Sequence, residues 1–209
     1  MVDVGCGAGR AVAELADQGV RVMGIDVSDQ MIALARERWP YGEFRVGDAD
    51  ALPLGNGAAA GYRADKVIHA LADPGRALAE ARRVLTSGGR IVLCGQDWDT
   101  FVIDSSDPEL TRTIVRKRGE QVPSPRAARQ YRNLLLDAGF RNVTVEVHTG
   151  VFTDGSFLPV LTRLAEVCCE HGAIARAQAD AWIAEQRERA QADRLFAAVP
   201  FFMAAATSP

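Results

Sequence analysis

Acidic side chains recur in this sequence at the ends of short apolar runs, and glycines crowd around the first of them. Asp3 precedes Gly5, Gly7 and Gly9 in the opening Met1-Val2-Asp3-Val4-Gly5-Cys6-Gly7-Ala8-Gly9. Asp26 closes the run at 20–25, Asp48 follows 44–46, His69 follows 62–68, and Asp97, Trp98 and Asp99 follow 90–94. Glycines at that spacing allow a tight turn that passes close to a ligand, and the free N–H groups at a helix start suit an electron-rich group. An acid about 20 positions downstream, at the end of the next strand, is suited to accept hydrogen bonds from both hydroxyls of a ribose. Nucleoside binding is the chemistry these residues point to.

Two nucleotide classes share that geometry. A dinucleotide fingerprint reads G-x-G-x-x-G, with the pyrophosphate on the helix N-terminus. Here the spacing is G-x-G-x-G and Asp3 stands before it. A carboxylate there would repel a pyrophosphate, whereas it can accept a hydrogen bond from an ammonium group. The pattern favours a zwitterionic, phosphate-free nucleoside over NAD.

The elements that must position these groups follow from apolar periodicity and punctuation. Residues 2–4 read as the end of a buried strand, 10–18 as a helix stopped by Gly19, and 20–25 as a second strand. Ser28 or Asp29 caps a helix that ends near Trp39-Pro40. Residues 44–46 and 62–68 read as the third and fourth strands, with the glycine- and alanine-rich 55–61 between them as a soft spot. Asp73-Pro74 opens a helix to Leu85, 90–94 is a central strand, and Asp107-Pro108 and Ser124-Pro125 each open a further helix. A strand at 142–147, helical runs at 157–170 and 175–196, and a last strand at Phe201-Phe202-Met203 complete the chain. Repeated strand–helix units imply a parallel sheet covered on both faces.

With these motifs in place, the sequence resembles the class I S-adenosylmethionine-dependent methyltransferases. The likeness rests on Asp3-Val4-Gly5-Cys6-Gly7-Ala8-Gly9, Asp26, Gly47-Asp48-Ala49 and Leu85-Thr86-Ser87-Gly88-Gly89-Arg90, and further on Leu136-Asp137-Ala138-Gly139-Phe140. It is nearest to the small-molecule enzymes of the ubiquinone-biosynthesis type. The resemblance implies a Rossmann-like three-layer α/β/α sandwich with a mostly parallel seven-stranded sheet whose last strand is antiparallel. It implies S-adenosyl-L-methionine as cofactor and S-adenosyl-L-homocysteine as product. Asp3, Gly5, Cys6, Gly7, Gly9, Asp26, Val27 and Met31 fall on cofactor positions. Asp48 falls where a side chain accepts from the adenine amine, and Ala49 where a backbone N–H donates to the ring.

Two departures stand out. Relatives carry a Phe-Asp pair where this sequence has 55–61, and the histidine they place after the fourth strand falls on Ala70, one residue beyond His69. The family also has a helical cover upstream of the first strand, so the front of this chain reads as truncated. Residues 151–195 read as a helical insertion or lid between the last two strands of one methyltransferase domain spanning 1–209.

The implied reaction is transfer of a methyl group to a small-molecule acceptor, taken here as oxygen in natural-product chemistry, with nitrogen and carbon left open. His69 can serve as the base or as a structural histidine, since its ordinary pKa lies near neutrality. Asp97, Trp98 and Asp99 are candidate acceptor contacts at the sheet's carboxyl edge. The alternatives are a cyclase or dehydratase on the same fold, a noncatalytic relative, and, less favoured, a nicotinamide-dependent oxidoreductase.

Composition sets bounds on all of these. The 209 residues suffice for one full core. A formal charge of -3, from 24 basic and 27 acidic residues without a long basic run, argues against a nucleic-acid partner. The four cysteines, Cys6, Cys94, Cys168 and Cys169, lack metal-ligand spacing, so no metal is expected and a reduced cytoplasm is the natural compartment. The longest apolar run, 195–206, contains Pro200 and is too short to span a bilayer. The expected state is a monomer or homodimer, without membrane contact.

Overall fold

Eight strands form a single mixed sheet in the computed structural model, which describes residues 1–209. Strands β1 (Val2–Val4), β2 (Met23–Asp26), β3 (Glu43–Val46), β4 (Ala59–Asp65) and β5 (Leu85–Gln96) lie parallel in the order β3-β2-β1-β4-β5. Strand β8 (Ala197–Thr207) runs antiparallel to β5 along one edge and to β7 (Arg141–Phe152) along the other. The expected sandwich and its reversed final strand are therefore present. The sheet has one strand more than expected, because Val102–Ile103 forms a short β6 that pairs with the first residues of β8.

Helices α1 (Arg10–Asp17) and α2 (Asp29–Arg38) follow β1 and β2, α3 (Pro74–Val84) precedes β5, and α5 (Ala127–Asp137) precedes β7. Their starts obey local chemistry. The Ser28 hydroxyl accepts from Met31 N–H, and the Asp73 carboxylate accepts from Arg76 N–H just before Pro74. Alternation along the strands then sorts the side chains by face. Val2, Val4, Tyr62, Ala64, Ile91 and Leu93 are buried in the main core with Leu78 of α3 and Tyr131 and Leu135 of α5. Each such buried aliphatic side chain contributes roughly 1.5–3 kcal/mol. Asp3, between Val2 and Val4, points to the other face, where Val12, Ile32, Ala35 and Phe44 form a smaller cluster.

Several boundaries differ from the sequence reading: β2 begins at Met23 rather than 20, β5 spans Leu85–Gln96 rather than 90–94, β7 runs on to Phe152 rather than 147, and the helix expected to reach 196 stops at Gln191. The fourth strand ends at Asp65 rather than 68, because Lys66 takes a left-handed backbone (φ 59°) and the chain turns into a single 3-10 turn at Ile68–Ala70. It also begins earlier, with Ala59 paired to Leu85, so part of the alanine-rich stretch is strand. The loop before it is fastened rather than soft. Arg83 donates to Leu54 O at 2.8 Å and to Asn56 Oδ1 at 2.9 Å, and Gly57 N–H donates to Arg83 O at 2.9 Å. The last strand is longer than 201–203, and it tolerates Pro200 because that residue falls between the β5 pairing, which stops at Phe201, and the β6 pairing, which starts at Ala198.

Between β7 and β8 lie α6 (Leu158–Glu170) and α7 (Arg176–Gln191). They pack with α4 (Pro108–Gly119) around a second core containing Ile114, Leu161, Leu164, Trp182 and Ile183. Trp182 Nε1 donates to Thr111 Oγ1 at 2.9 Å, which satisfies an indole buried with them. No helix is long and apolar enough to cross a membrane.

Candidate functional site

The carboxyl ends of β1 to β4 converge on a cavity of about 570 Å³. Gly5, Asp26, Val27, Asp48 and Ala49 line one side, and Lys66, Val67, Ala70 and Leu71 line the other. Five of the residues singled out in the sequence are thus brought together by parallel strands that end side by side. Cys6, Gly7, Gly9 and Met31 belong to the turn and helix starts around this cavity without forming its wall.

Backbone geometry explains the glycines individually. Gly5 has φ +68°, and a Cβ there would lie 2.2 Å from Val67 Cγ2, so this glycine lets the turn after β1 pass against the exit of β4. Gly7 also has positive φ, but a Cβ there would meet nothing within 4 Å. Its surroundings are open, and its N–H is directed at Asp26 Oδ2 at 2.9 Å. The other oxygen, Oδ1, accepts from Ser28 N–H, also at 2.9 Å. Asp26 therefore ties the glycine turn to the start of α2, and each oxygen keeps a lone pair for a further donor. The Cys6 thiol is pushed up to about 12 by burial and by Asp3 and Asp26, so it stays protonated and acts as a small packing group.

Asp3 is 1% exposed and sits in a different environment from Asp26. Arg63, its register partner on β4, donates to Asp3 Oδ1 at 2.7 Å. Oδ2 is buried without a partner. Burial raises the Asp3 pKa, against the opposing pull of Arg63.

At the end of β4, His69 occupies the 3-10 turn, which is held in place by Ser124: its N–H donates to His69 O and its hydroxyl to Leu71 O. The imidazole meets the edge of Trp98 with centroids 5.5 Å apart, and Trp98 stacks on Phe101 at the same spacing. His69 Nδ1 and Trp98 Nε1 are both buried without partners. Burial, then the positive charges of Arg118 and Lys66, lower the His69 pKa below its ordinary value, which keeps the ring neutral and proton-accepting at pH 7. Arg118 lies 4.4 Å from the centroid of Trp98. Nothing in the sequence marked Arg118, because its approach to His69 depends on how α4 docks.

The acids after β5 divide by environment. Asp97 is 0% exposed, and both its oxygens are engaged by Arg129 of α5, with Nη2 to Oδ1 at 2.7 Å. It also accepts from Asp99 N–H at 3.0 Å. This carboxylate clamps the exit loop of β5 and does not line the cavity at the ends of β1 to β4. Asp99 is more accessible and accepts from Arg126 Nε at 2.6 Å.

Comparison with known proteins bears on the fold and on the first part of the chain. Residues 2–93 match the family model described as a methyltransferase domain. A 37.1 kDa protein in transposon TN4556 of Streptomyces fradiae is 42% identical over 160 residues, which cover 73% of this chain and 46% of that protein. The O-methyltransferase cnsE of Penicillium expansum is 33% identical over 153 residues, covering 69% of this chain and 53% of the enzyme. The chain thus spans about half the length of these curated relatives. Phosphoethanolamine N-methyltransferase 2 of Haemonchus contortus, solved with S-adenosyl-L-methionine, superposes with a TM-score of 0.63 at 19% identity, over 100% of this chain and 48% of that one. At that identity the likeness is one of fold. The chain shares its fold with that N-methyltransferase, and its residues 2–93 match a methyltransferase domain.

Proposed function

We propose that this chain transfers a methyl group from S-adenosyl-L-methionine to an oxygen of a small-molecule acceptor, in the manner of the ubiquinone-biosynthesis-type enzymes, releasing S-adenosyl-L-homocysteine. The observation that carries this reading is the cavity lined together by Gly5, Asp26 and Asp48, with the open backbone of Gly7 at its margin. Two carboxylates beside an open backbone turn suit the hydroxyls and amine of a nucleoside and repel a pyrophosphate. The Penicillium O-methyltransferase supports oxygen as the acceptor atom.

Asp26 accepts the ribose hydroxyls on its free lone pairs, and Gly5, Cys6, Gly7 and Gly9 keep the turn clear of the nucleoside. Asp48 accepts from the adenine amine, Ala49 N–H donates to the ring, and Val27 and Met31 offer it an apolar side. Asp3, buried against Arg63 behind the turn and outside the cavity wall, is the acceptor proposed for the ammonium group. Bound there, the cofactor supplies an electrophilic methyl group on a sulfonium. His69 takes the acceptor's hydroxyl proton on Nδ1, and its depressed pKa keeps it ready for that step. Trp98 walls the acceptor and excludes water, Asp99 borders its entry, and Asp97 is a positioning residue that holds the loop carrying both. Within a single domain of 1–209, α6 and α7 serve as a lid beside this entry. We place the protein in the cytoplasm, as a monomer or homodimer without a nucleic-acid partner.

Calorimetric titration with S-adenosyl-L-methionine, S-adenosyl-L-homocysteine and NAD tests the reading. Binding of the first two with none of the third is expected. Preferential NAD binding, or a folded protein that binds none of them, would overturn it.

A further inference from the structure

A second cavity, of about 530 Å³, opens between α4 and the segment that leads through β6. Its volume falls in the range of small-molecule sites. Phe101, Val102, Ile103 and Val115 form its apolar surface. Arg112, Arg116 and Arg126 also line it, against the single carboxylate of Asp99. Three guanidinium groups around one apolar cavity are unexpected in a chain of formal charge -3.

The three cations are not equally compensated. Arg126 is bound to Asp99. Arg112 pairs with Glu109, one turn back on α4, in an arrangement open to solvent on both sides. Arg116 stands 4.0 Å from Glu120, whose other oxygen is taken by Lys117 at 2.8 Å. Arg112 and Arg116 lie four residues apart and so project from one helix face. Together they offer an anion two donor groups, while Val102, 57% exposed on the opposite wall, offers an apolar body a surface now facing water.

The cavity shares no lining residue with the one at the ends of β1 to β4, and ring packing links it to the proposed base. Phe101 forms part of its wall and stacks on Trp98, and Trp98 meets His69. We infer that this cavity holds the anionic end of the acceptor, and that the acceptor is an amphipathic molecule with a carboxylate or phosphate head and an apolar body. Arg112 and Arg116 bind the head, and Phe101, Val102 and Val115 cover the body next to it. That the bound anion is the acceptor rests on the methyl-transfer reading; that the cavity binds such an anion does not.

The test is calorimetric titration of the full chain with octanoate, octyl phosphate and 1-octanol, each with and without S-adenosyl-L-homocysteine. Either anion should bind at one site, with octanol at least tenfold weaker, and the tighter of the two identifies the head group. The paired change Arg112→Gln and Arg116→Gln should weaken the anion at least tenfold while leaving S-adenosyl-L-homocysteine affinity unchanged. Val102→Glu, at an exposed position that does not threaten the core, should do the same by adding a negative charge. Failure of both anions to bind, equal binding of octanol, or unaltered anion affinity in both variants overturns the inference. Anion binding without S-adenosyl-L-homocysteine binding would instead remove the methyl-transfer reading and leave the cavity's ligand class standing.

Discussion

Asp26→Ala gives the most direct account of whether the glycine turn and the second strand form one nucleoside site. In the protein as it stands, the two Asp26 oxygens accept from Gly7 N–H and Ser28 N–H, both at 2.9 Å. Truncation frees both amides. Each lies near the surface, where water can replace the lost acceptor, so the cost to folding is roughly 1 kcal/mol per bond, or about 2 kcal/mol in all. In the proposed site the cost to binding is larger, because both ribose hydroxyls would lose a charged acceptor worth roughly 1.5–3 kcal/mol each. A net loss near 3 kcal/mol corresponds to an affinity drop of about a hundredfold. Asp26→Asn should fall between, since its amide retains one accepting oxygen and turns a donor toward the other N–H. The assay is calorimetry with S-adenosyl-L-homocysteine, paired with thermal melting of the free protein to show that it remains folded. A folded Asp26→Ala variant that binds the ligand as tightly as the parent would refute the placement of the ribose and, with it, the registration of the whole site.

Other perturbations probe neighbouring parts of the argument. Gly5→Ala combines a left-handed backbone with a 2.2 Å approach to Val67 and should destabilise by roughly 3 kcal/mol or more, whereas Gly7→Ala meets no atom and should cost only the roughly 1–2 kcal/mol of backbone strain while impairing ligand binding; equal melting temperatures for the two would contradict this. With neutral His69 as the proposed base, the methyl-transfer rate should rise with pH through an apparent pKa below the ordinary histidine value and then level off. Arg118→Met removes one of the charges that depress that pKa, and the acid limb should move upward toward the ordinary value; a limb that does not move, or a His69→Gln variant with an unchanged profile, excludes His69 as the base. The same depressed pKa has a stability consequence of defined sign: the unfolded chain takes up the proton first, so His69's contribution is complete above pH 6.5 and declines below it, as an acid titration of the melting temperature in parent and His69→Gln proteins would register. Arg129→Met leaves the fully buried Asp97 without its bidentate partner and should cost about 3 kcal/mol in urea unfolding, at the low end for a broken buried pair because Arg129 itself is partly solvated.

Much of this protein could be read along the chain. The strand–glycine–helix opening, the acids at the ends of β2 and β3, and the Asp-Pro helix starts are short-range patterns. Local sterics and capping therefore fix them before any distant residue is considered. Parallel strands then must end side by side, which is why Gly5, Asp26, Val27, Asp48 and Ala49 line one cavity. The errors lay where local preference met a tertiary partner. Alanine and glycine at 59–61 were drawn into β4 by pairing with β5, and Val102–Ile103 became a strand only because β8 offers an edge there.

The sequence by itself determined the order of the elements, the alternation that buries Val2 and Val4 while turning Asp3 to the other face, and the class of ligand that the carboxylates can accept. Tertiary structure decided which charges are already satisfied. Asp97 and Arg129 stand 32 positions apart, and Asp3 and Arg63 stand 60 apart, yet each pair is in contact because sheet order and helix docking set distance in space independently of distance along the chain. The same reason hid the cavity beside α4. Arg112 and Arg116 are ordinary surface residues on an isolated helix, and they face a shared apolar cavity only once the chain after Trp98 folds back against β8.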